Sequence, residues 1–177
     1  MTPNLRFLFA HPAHFIACGL GSGLSGAAPG TAGTAFAWAT YPLLRLLYPG
    51  DENFALFLAL MAVFGTWCVH VTGRHLGEPD HGAIVWDEIV PFWATLMFVP
   101  GSVLASPHGP IFHPVGLVWQ VAAFVLFRLF DILKPPPASY FDRQVKNAFG
   151  VMMDDVVAAG YTLLALAFVK VALERLN

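Results

Sequence analysis

Charged residues and cysteine are scarce in this chain. Only 11% of its 177 residues are charged, 57% are hydrophobic, and two are cysteines. The cysteines form neither a zinc-binding spacing nor a disulfide framework. A soluble domain carries roughly 25% charged residues, so this chain has too little polar surface to coat a water-soluble particle. The net charge of −2 excludes the basic surface of a nucleic-acid-binding protein, and a lipid bilayer is the expected solvent.

Long apolar stretches alternate with breaks rich in glycine and proline. The stretches cover residues 33–48, 54–72, 84–105, 115–133 and 151–172, and several approach the roughly 20 residues that span hydrocarbon. Pro91 is expected to kink or end the third stretch. Residues 19–33 contain too much glycine for a regular helix. We predict one all-α domain over residues 1–177, a multi-pass helical membrane bundle of about four to five spanning segments with re-entrant or interfacial pieces.

Positive charges favour one side of this predicted bundle. With five crossings, one side carries Arg6, Arg74, Lys134, Arg143 and Lys146, although Arg45, Lys170 and Arg175 lie towards the other. Cytoplasmic loops are the ones enriched in lysine and arginine. The bias therefore places the N-terminus and the loops at 73–83 and 134–150 in the cytoplasm. The sequence does not indicate an oligomeric state.

Five carboxylates fall at one level of the predicted bundle. Asp87 and Glu88 begin the third stretch, Asp131 ends the fourth, and Asp154 and Asp155 begin the fifth. Because consecutive crossings run in opposite directions, the start of one and the end of the next lie at the same level. The five side chains are therefore predicted to meet near the cytoplasmic end.

Such a group of acids needs a cation. An ionised residue costs roughly 3 kcal/mol at the centre of a membrane, and Arg128, one helical turn before Asp131, neutralises only part of the charge. Oxygen ligands without cysteine suit Mg²⁺, and two Mg²⁺ ions clamping a phosphoryl group would explain the excess of acid. The alternative is a set of interhelical salt bridges or water-facing residues.

A basic, proline-rich loop follows the fourth stretch. Lys134, Arg143 and Lys146 could hold phosphate oxygens or anionic head groups, or could be ordinary cytoplasmic-loop charges. Asp142 could be a further metal ligand or the partner of Arg143.

Two other segments have an open interpretation. The glycine-rich stretch at 19–33, which contains Thr31, could cradle a phosphate or could be a turn that permits close helix packing. His81 could be a general acid or base oriented by Asp80, or part of a polar loop with a helix cap.

At these residues the sequence resembles the phosphatidylglycerophosphatase A family. The resemblance is carried by an ordered set of short pieces: Gly19-Leu-Gly-Ser-Gly23, Pro29-Gly-Thr-Ala-Gly33, Asp80-His-Gly82, Ile84-Val-Trp-Asp-Glu88, Arg128-Leu-Phe-Asp131, Lys134-Pro135, Phe141-Asp-Arg143, Met153-Asp-Asp155 and Gly160. Each piece is weak alone, but together they cover most of the chain. Two positions depart from the family pattern: Thr34 replaces a serine, and residues 147–150 replace a more glycine-rich turn.

The resemblance implies a Mg²⁺-dependent enzyme of the bacterial inner membrane that hydrolyses phosphatidylglycerophosphate to phosphatidylglycerol and phosphate. It implies a helical fold and a phospholipid substrate. The implied site comprises Asp87, Glu88, Arg128, Asp131, Lys134, Asp142, Asp154 and Asp155. Either a metal-activated water or an aspartyl-phosphate would be consistent with these residues.

Three other functions share part of this residue pattern. A CDP-alcohol phosphotransferase also uses acids and Mg²⁺, but its ordered Asp-Gly-x2-Ala-Arg motif is absent from the sequence. A divalent-cation carrier would place carboxylates through the whole membrane depth. The spacing of Cys68 and Arg74 matches that of cysteine phosphatases, but Cys68 lies late in an apolar stretch, where a thiol should be inert.

Overall fold

The computed structural model describes residues 3–99 and 114–176, and over these ranges the chain is helical with no strand. The helices are α1 (Leu5–Ala10), α2 (Pro12–Ala17), α3 (Pro29–Leu47), α4 (Asp51–Leu76), α5 (Trp86–Phe98), α6 (Pro114–Leu133), α7 (Ala138–Gln144) and α8 (Ala148–Leu176), with a 3₁₀ helix at Gly19–Leu24. The predicted all-α fold is confirmed.

Local sequence signals explain where the long helices begin and end. Pro29 stands in the first turn of α3, where a missing N–H costs nothing. Asp51 and Glu52 open α4 and Arg74 lies in its last turn, each charge matching the helix dipole. Gly77, with φ of 78°, ends that helix in the left-handed conformation.

α5 is the central helix of the fold. It packs against α3, α4, α6 and α8, and most of its thirteen residues are buried. Two tryptophans fix it to its neighbours: the Trp93 indole donates to the Ala37 carbonyl of α3 at 2.9 Å, and the Trp86 indole donates to the Met61 carbonyl of α4 at 3.2 Å. α4 can approach because Gly65 has no side chain, and a Cβ there would overlap the Trp86 ring.

Three described helices are long and apolar enough to cross a membrane: Asp51–Leu76, Gly116–Leu133 and Ala148–Leu176. The predicted count of four to five spans is therefore approximate. Arg45, which weakened the charge bias, is 4% exposed and pairs with Asp51 at 2.7 Å across the turn between α3 and α4.

Several predicted boundaries are corrected by the structure. Pro91 does not end α5, which continues to Phe98. Residues 29–33, predicted to be irregular, form the first turn of α3. The loop at 134–150 contains α7, and α8 begins three residues before the predicted start of the fifth stretch. The predicted end of the third stretch and the break at 106–114 extend into residues 100–113, outside the described ranges.

Candidate active site

Four helices and two loops enclose a cavity of about 280 Å³. Its walls come from the start of α3, the loop before α5, the first turn of α5, the end of α6 and the second turn of α8. The lining residues are Ala28, Pro29, Gly30, Asp80, Gly82, Ile84, Asp87, Glu88, Arg128, Asp131, Lys134, Asp154 and Asp155. The five carboxylates that the sequence predicted to meet all line this cavity.

Arg128 connects two of the acidic side chains. Its Nη1 atom lies 3.0 Å from Glu88 Oε1 and 2.6 Å from Asp131 Oδ2. Asp131 follows Arg128 by three residues on α6, so the helix itself places the two side chains on one face. The ion pairs therefore hold the end of α6 against the start of α5.

Lys134 forms a second connection, just after α6 ends. Its ammonium donates to Asp142 Oδ1 at 2.7 Å and to Asp154 Oδ2 at 2.6 Å. Burial lowers the pKa of Lys134, but the two carboxylates outweigh burial and the pKa is raised overall. The hydrogen bond from Lys134 lowers the pKa of Asp142. Lys134 reaches both acids from a φ of 45°, a left-handed conformation that is unusual for a residue with a side chain.

Three buried carboxylate oxygens in the cavity have no hydrogen-bond partner among the described residues. They belong to Asp87, Glu88 and Asp155, and the side chains of Asp87 and Asp155 are almost fully buried. A buried polar atom without a partner is costly, and such atoms occur where a ligand or ion is bound in the working protein.

These oxygens are the type of donor that binds a hard cation. They are carboxylate oxygens with no sulfur beside them, which is the donor set that Mg²⁺ prefers. Within residues 3–99 and 114–176, however, no three acidic, histidine or cysteine side chains stand in a ready-made ligand arrangement. Arg128 and Lys134 occupy part of the acidic surface instead, so metal binding would require small side-chain rotations.

The N-terminus of α3 faces the same cavity. Ala28 precedes the helix and provides no side-chain cap, so the first backbone N–H groups have no side-chain acceptor. Gly30 allows the approach, since a Cβ there would overlap the Glu88 carboxylate and lie 2.7 Å from an Arg128 nitrogen. An uncapped helix N-terminus is a suitable place for an anion.

Three residues predicted to bind substrate lie outside the cavity lining, and their role in binding stays a prediction. Thr31 follows Gly30 but does not line the cavity. His81 is partly buried, and its Nδ1 accepts from the Ala83 N–H at 3.1 Å, which matches the open alternative of a polar loop cap. Arg143 is exposed on α7.

Asp142 also lies outside this lining. It faces a neighbouring cavity of about 260 Å³, where its partner is Lys134 rather than Arg143. Asp80, by contrast, was considered only as a partner for His81, yet it lines both cavities. Asp80 could have been found from the sequence, because it is a further carboxylate in the short loop that precedes α5.

The cysteine-phosphatase alternative finds no support in the fold. Cys68 is fully buried near the C-terminal end of α4, not at the start of that helix, where a thiol could be activated. Cys18 is likewise buried, and burial raises the pKa of its thiol to about 11.

Comparison with known proteins identifies the family to which the chain is related. The sequence model described as phosphatidylglycerophosphatase A matches residues 15–170. The phosphatidylglycerophosphatase A of Haemophilus influenzae is 38% identical over 162 residues, covering 92% of this chain and 91% of the relative. The Escherichia coli protein of the same name is 37% identical over 153 residues, covering 86% and 80%.

A third relative has a different name. A Bacteroides thetaiotaomicron protein, provisionally named phosphatidylinositol-3-phosphatase, is 35% identical over 159 residues, covering 88% of this chain and 91% of that protein. No solved structure matches the chain. The family match spans the whole carboxylate cavity, and the chain belongs to the phosphatidylglycerophosphatase A family of phosphatases.

Proposed function

We propose that this protein hydrolyses the terminal phosphate of phosphatidylglycerophosphate, with Mg²⁺, at the cavity between α3, α5, α6 and α8. The products are phosphatidylglycerol and inorganic phosphate. Two relatives that share most of the chain carry the name of this activity. The observation that carries the proposal is that three residues lining one cavity each have a buried carboxylate oxygen without a hydrogen-bond partner among the described residues.

The charge of the cavity supports a metal-dependent reaction on an anion. Six carboxylates line it against two cationic side chains. A phosphomonoester carries up to two negative charges, which these acids would repel at short range. Divalent cations would reverse that repulsion. Mg²⁺ held by Asp87, Glu88, Asp131, Asp154 and Asp155 would neutralise phosphate charge and activate a water for attack on phosphorus.

The remaining groups of the cavity are suited to positioning the phosphate. Arg128 pairs with Glu88 and Lys134 pairs with Asp154, and each would donate to a non-bridging oxygen. Backbone N–H groups at the start of α3 would contribute further donors. Donors fixed in advance stabilise the charge that develops in the transition state, without reorganisation during the reaction.

We further propose that the enzyme lies in the bacterial inner membrane with this cavity near the cytoplasmic face. The three apolar helices are long enough to cross hydrocarbon. The cavity lies at the C-terminal end of α6, where Lys134 lines it, and Arg74 in the last turn of α4 and Lys146 before α8 line a neighbouring cavity. Loops with such positive charge are typical of the cytoplasmic side.

The test is phosphate release from phosphatidylglycerophosphate by the purified protein in detergent, with Mg²⁺ and then with EDTA. We expect turnover with Mg²⁺ and its loss in EDTA. Asp155→Asn should lower kcat about a thousandfold, as expected when a group aimed at the transition state is lost. The matched control is Glu174→Gln, an exposed carboxylate at the far end of the same helix.

Two outcomes would contradict the proposal. Equal release in EDTA would remove the metal from the mechanism. Release from phosphatidylinositol 3-phosphate but not from phosphatidylglycerophosphate would transfer the activity to the substrate in the name of the third relative.

A further inference from the structure

A wide apolar groove lies between α4 and α8 and is not used by the chemistry proposed above. Its volume is about 760 Å³, and Val63, Trp67, Phe149, Met152 and Val156 line it. Val63 is 74% exposed and Trp67 51% exposed. The groove is therefore open on the outer surface of the bundle.

The groove joins the carboxylate cavity through two smaller cavities. The first, of about 280 Å³, shares His70 and Ala148 with the groove and is also lined by Arg74 and Lys146. The second is the 260 Å³ cavity beside α7, which shares Lys146 with the first. It also shares Asp80 and Asp154 with the carboxylate cavity. The linings of the four cavities are therefore contiguous, from the apolar groove to the acidic site.

The chemistry of the wall changes in order along this path. The groove is apolar, the next cavity is lined by Arg74 and Lys146, and the cavity after it presents the acceptors Glu78 and Asp142. A phospholipid with a phosphorylated glycerol head group has the same order of parts. Its acyl chain is followed by a phosphodiester anion, a glycerol hydroxyl that can donate, and the terminal phosphate.

We infer that the α4–α8 groove holds one acyl chain of the lipid substrate, while Arg74 and Lys146 bind its phosphodiester. The inference rests on the proposed function, because it extends the same substrate outward from the carboxylate cavity. It assigns a role to two exposed basic side chains that have no part in the hydrolytic step.

The length of the groove agrees with an acyl chain in one leaflet. The α4 residues that line the groove run from Ala62 to His70, about 12 Å along a helix axis, and Arg74 in the adjoining cavity lies about 18 Å from Ala62. One leaflet of hydrocarbon is about 15 Å thick. A chain in the groove would therefore lie at its natural depth while its phosphodiester reaches the two cations.

A transmembrane helix of a partner, or of a second copy, is the other occupant to consider. It would cover the apolar groove, but it would leave unexplained why the groove opens into a basic cavity that leads to the carboxylates. The continuity and the charge order favour the lipid.

The experiment compares two substrates in mixed micelles: the dipalmitoyl lipid and its deacylated head group, which keeps both phosphates. Val63→Trp fills the groove. We expect it to lower kcat/KM for the lipid about tenfold, the loss expected when roughly two methylene groups lose their burial. The head group should be hydrolysed at an unchanged rate, which also reports that the variant is folded. Val118→Trp is the control, since Val118 is 69% exposed on α6, away from the groove.

The paired variant Arg74→Gln/Lys146→Gln should lower kcat/KM for both substrates through a raised KM, because both keep the phosphodiester. Lys170→Gln, which neutralises an exposed lysine outside these cavities, is its control.

Equal losses on both substrates for Val63→Trp, or none on either, would overturn the groove assignment alone. If Val63→Trp fails to fold, Val156→Trp tests the opposite wall by the same criterion. No release from either substrate by the unmodified protein would overturn the proposed function and this inference with it.

Discussion

Replacing Lys134 by glutamine tests the ion-pair arrangement at the end of α6. Lys134 contacts Asp142, and the two side chains are 27% and 24% exposed, so this pair contributes about 1 kcal/mol. Asp154 is only 6% exposed. Leaving a buried carboxylate without its cation costs about 3 kcal/mol, which we reduce to about 2 kcal/mol because Lys134 is partly solvated. The variant should therefore be about 3 kcal/mol less stable, a fall in Tm of roughly 8 °C.

The pH dependence of this loss follows from the two pKa shifts. The folded pKa of Asp142 is below its ordinary 3.8, so its contribution is present above that value and is lost as pH falls through the folded pKa. The folded pKa of Lys134 is above its ordinary 10.5, so its contribution is present below that value and is lost as pH rises through the folded pKa. The share of the stability difference between wild type and Lys134→Gln that comes from Asp142 should be flat from about pH 5 to about pH 9 and shrink below about pH 4.

Thermal unfolding in detergent measures the stability of the variant. Phosphate release measures its activity, and kcat/KM should fall about a hundredfold because Lys134 no longer donates to the phosphate. Lys170→Gln is the control, because its pair with Glu174 spans 3.9 Å and both side chains are more than half exposed. If Lys134→Gln unfolds at the wild-type temperature across this pH range, the two ion pairs do not stabilise the protein as argued.

Three further predictions address other parts of the site. Gly30→Ala should lower both folded yield and turnover, since its Cβ would overlap the Glu88 carboxylate; normal yield and turnover would mean that α3 can move away freely. Arg128→Lys should lower kcat about tenfold or more with smaller loss of stability, because an ammonium cannot keep the planar fork of a guanidinium; steady-state kinetics and thermal unfolding separate the two effects. A water-soluble maleimide at pH 7 should neither label Cys18 in the folded protein nor inhibit phosphate release, and labelling should appear on denaturation.

The convergence of the carboxylates was accessible to sequence reasoning because it depends only on position along the helices. Asp87 begins one helix and Asp131 lies near the end of another, and hydropathy locates both helix ends. Alternating direction then brings those ends to one level. The structure adds what hydropathy cannot give, namely that the side chains face one cavity. The role of these residues in catalysis stays a prediction.

The side of a helix that a residue faces was harder to predict. Thr31 was predicted to contact phosphate, but its neighbour Gly30 faces the cavity instead. Successive residues on a helix are separated by about 100° of rotation, so one position decides whether a residue contacts the site. Only packing against α5 fixes that rotation.

The start of α8 was missed for a different reason. Asn147 caps the helix by accepting from the Gly150 N–H at 3.1 Å, so the helix begins before the hydrophobic stretch does. Hydropathy detects apolar residues and ignores this cap. As a result Asp154 and Asp155, which are both buried, lie about two turns into α8 rather than at its start.

The shortness of α5 has a consequence for how the enzyme would respond to its surroundings. At thirteen residues it is about 20 Å long, too short for a hydrocarbon layer of about 30 Å. It is enclosed by longer helices, so its apolar side chains are covered by protein instead of lipid. A thicker or thinner membrane would tilt or stretch the outer helices first. The depth of Asp87 and Glu88 in the membrane is set by the packing of α5 inside the protein. Turnover should therefore vary little among host membranes of different thickness.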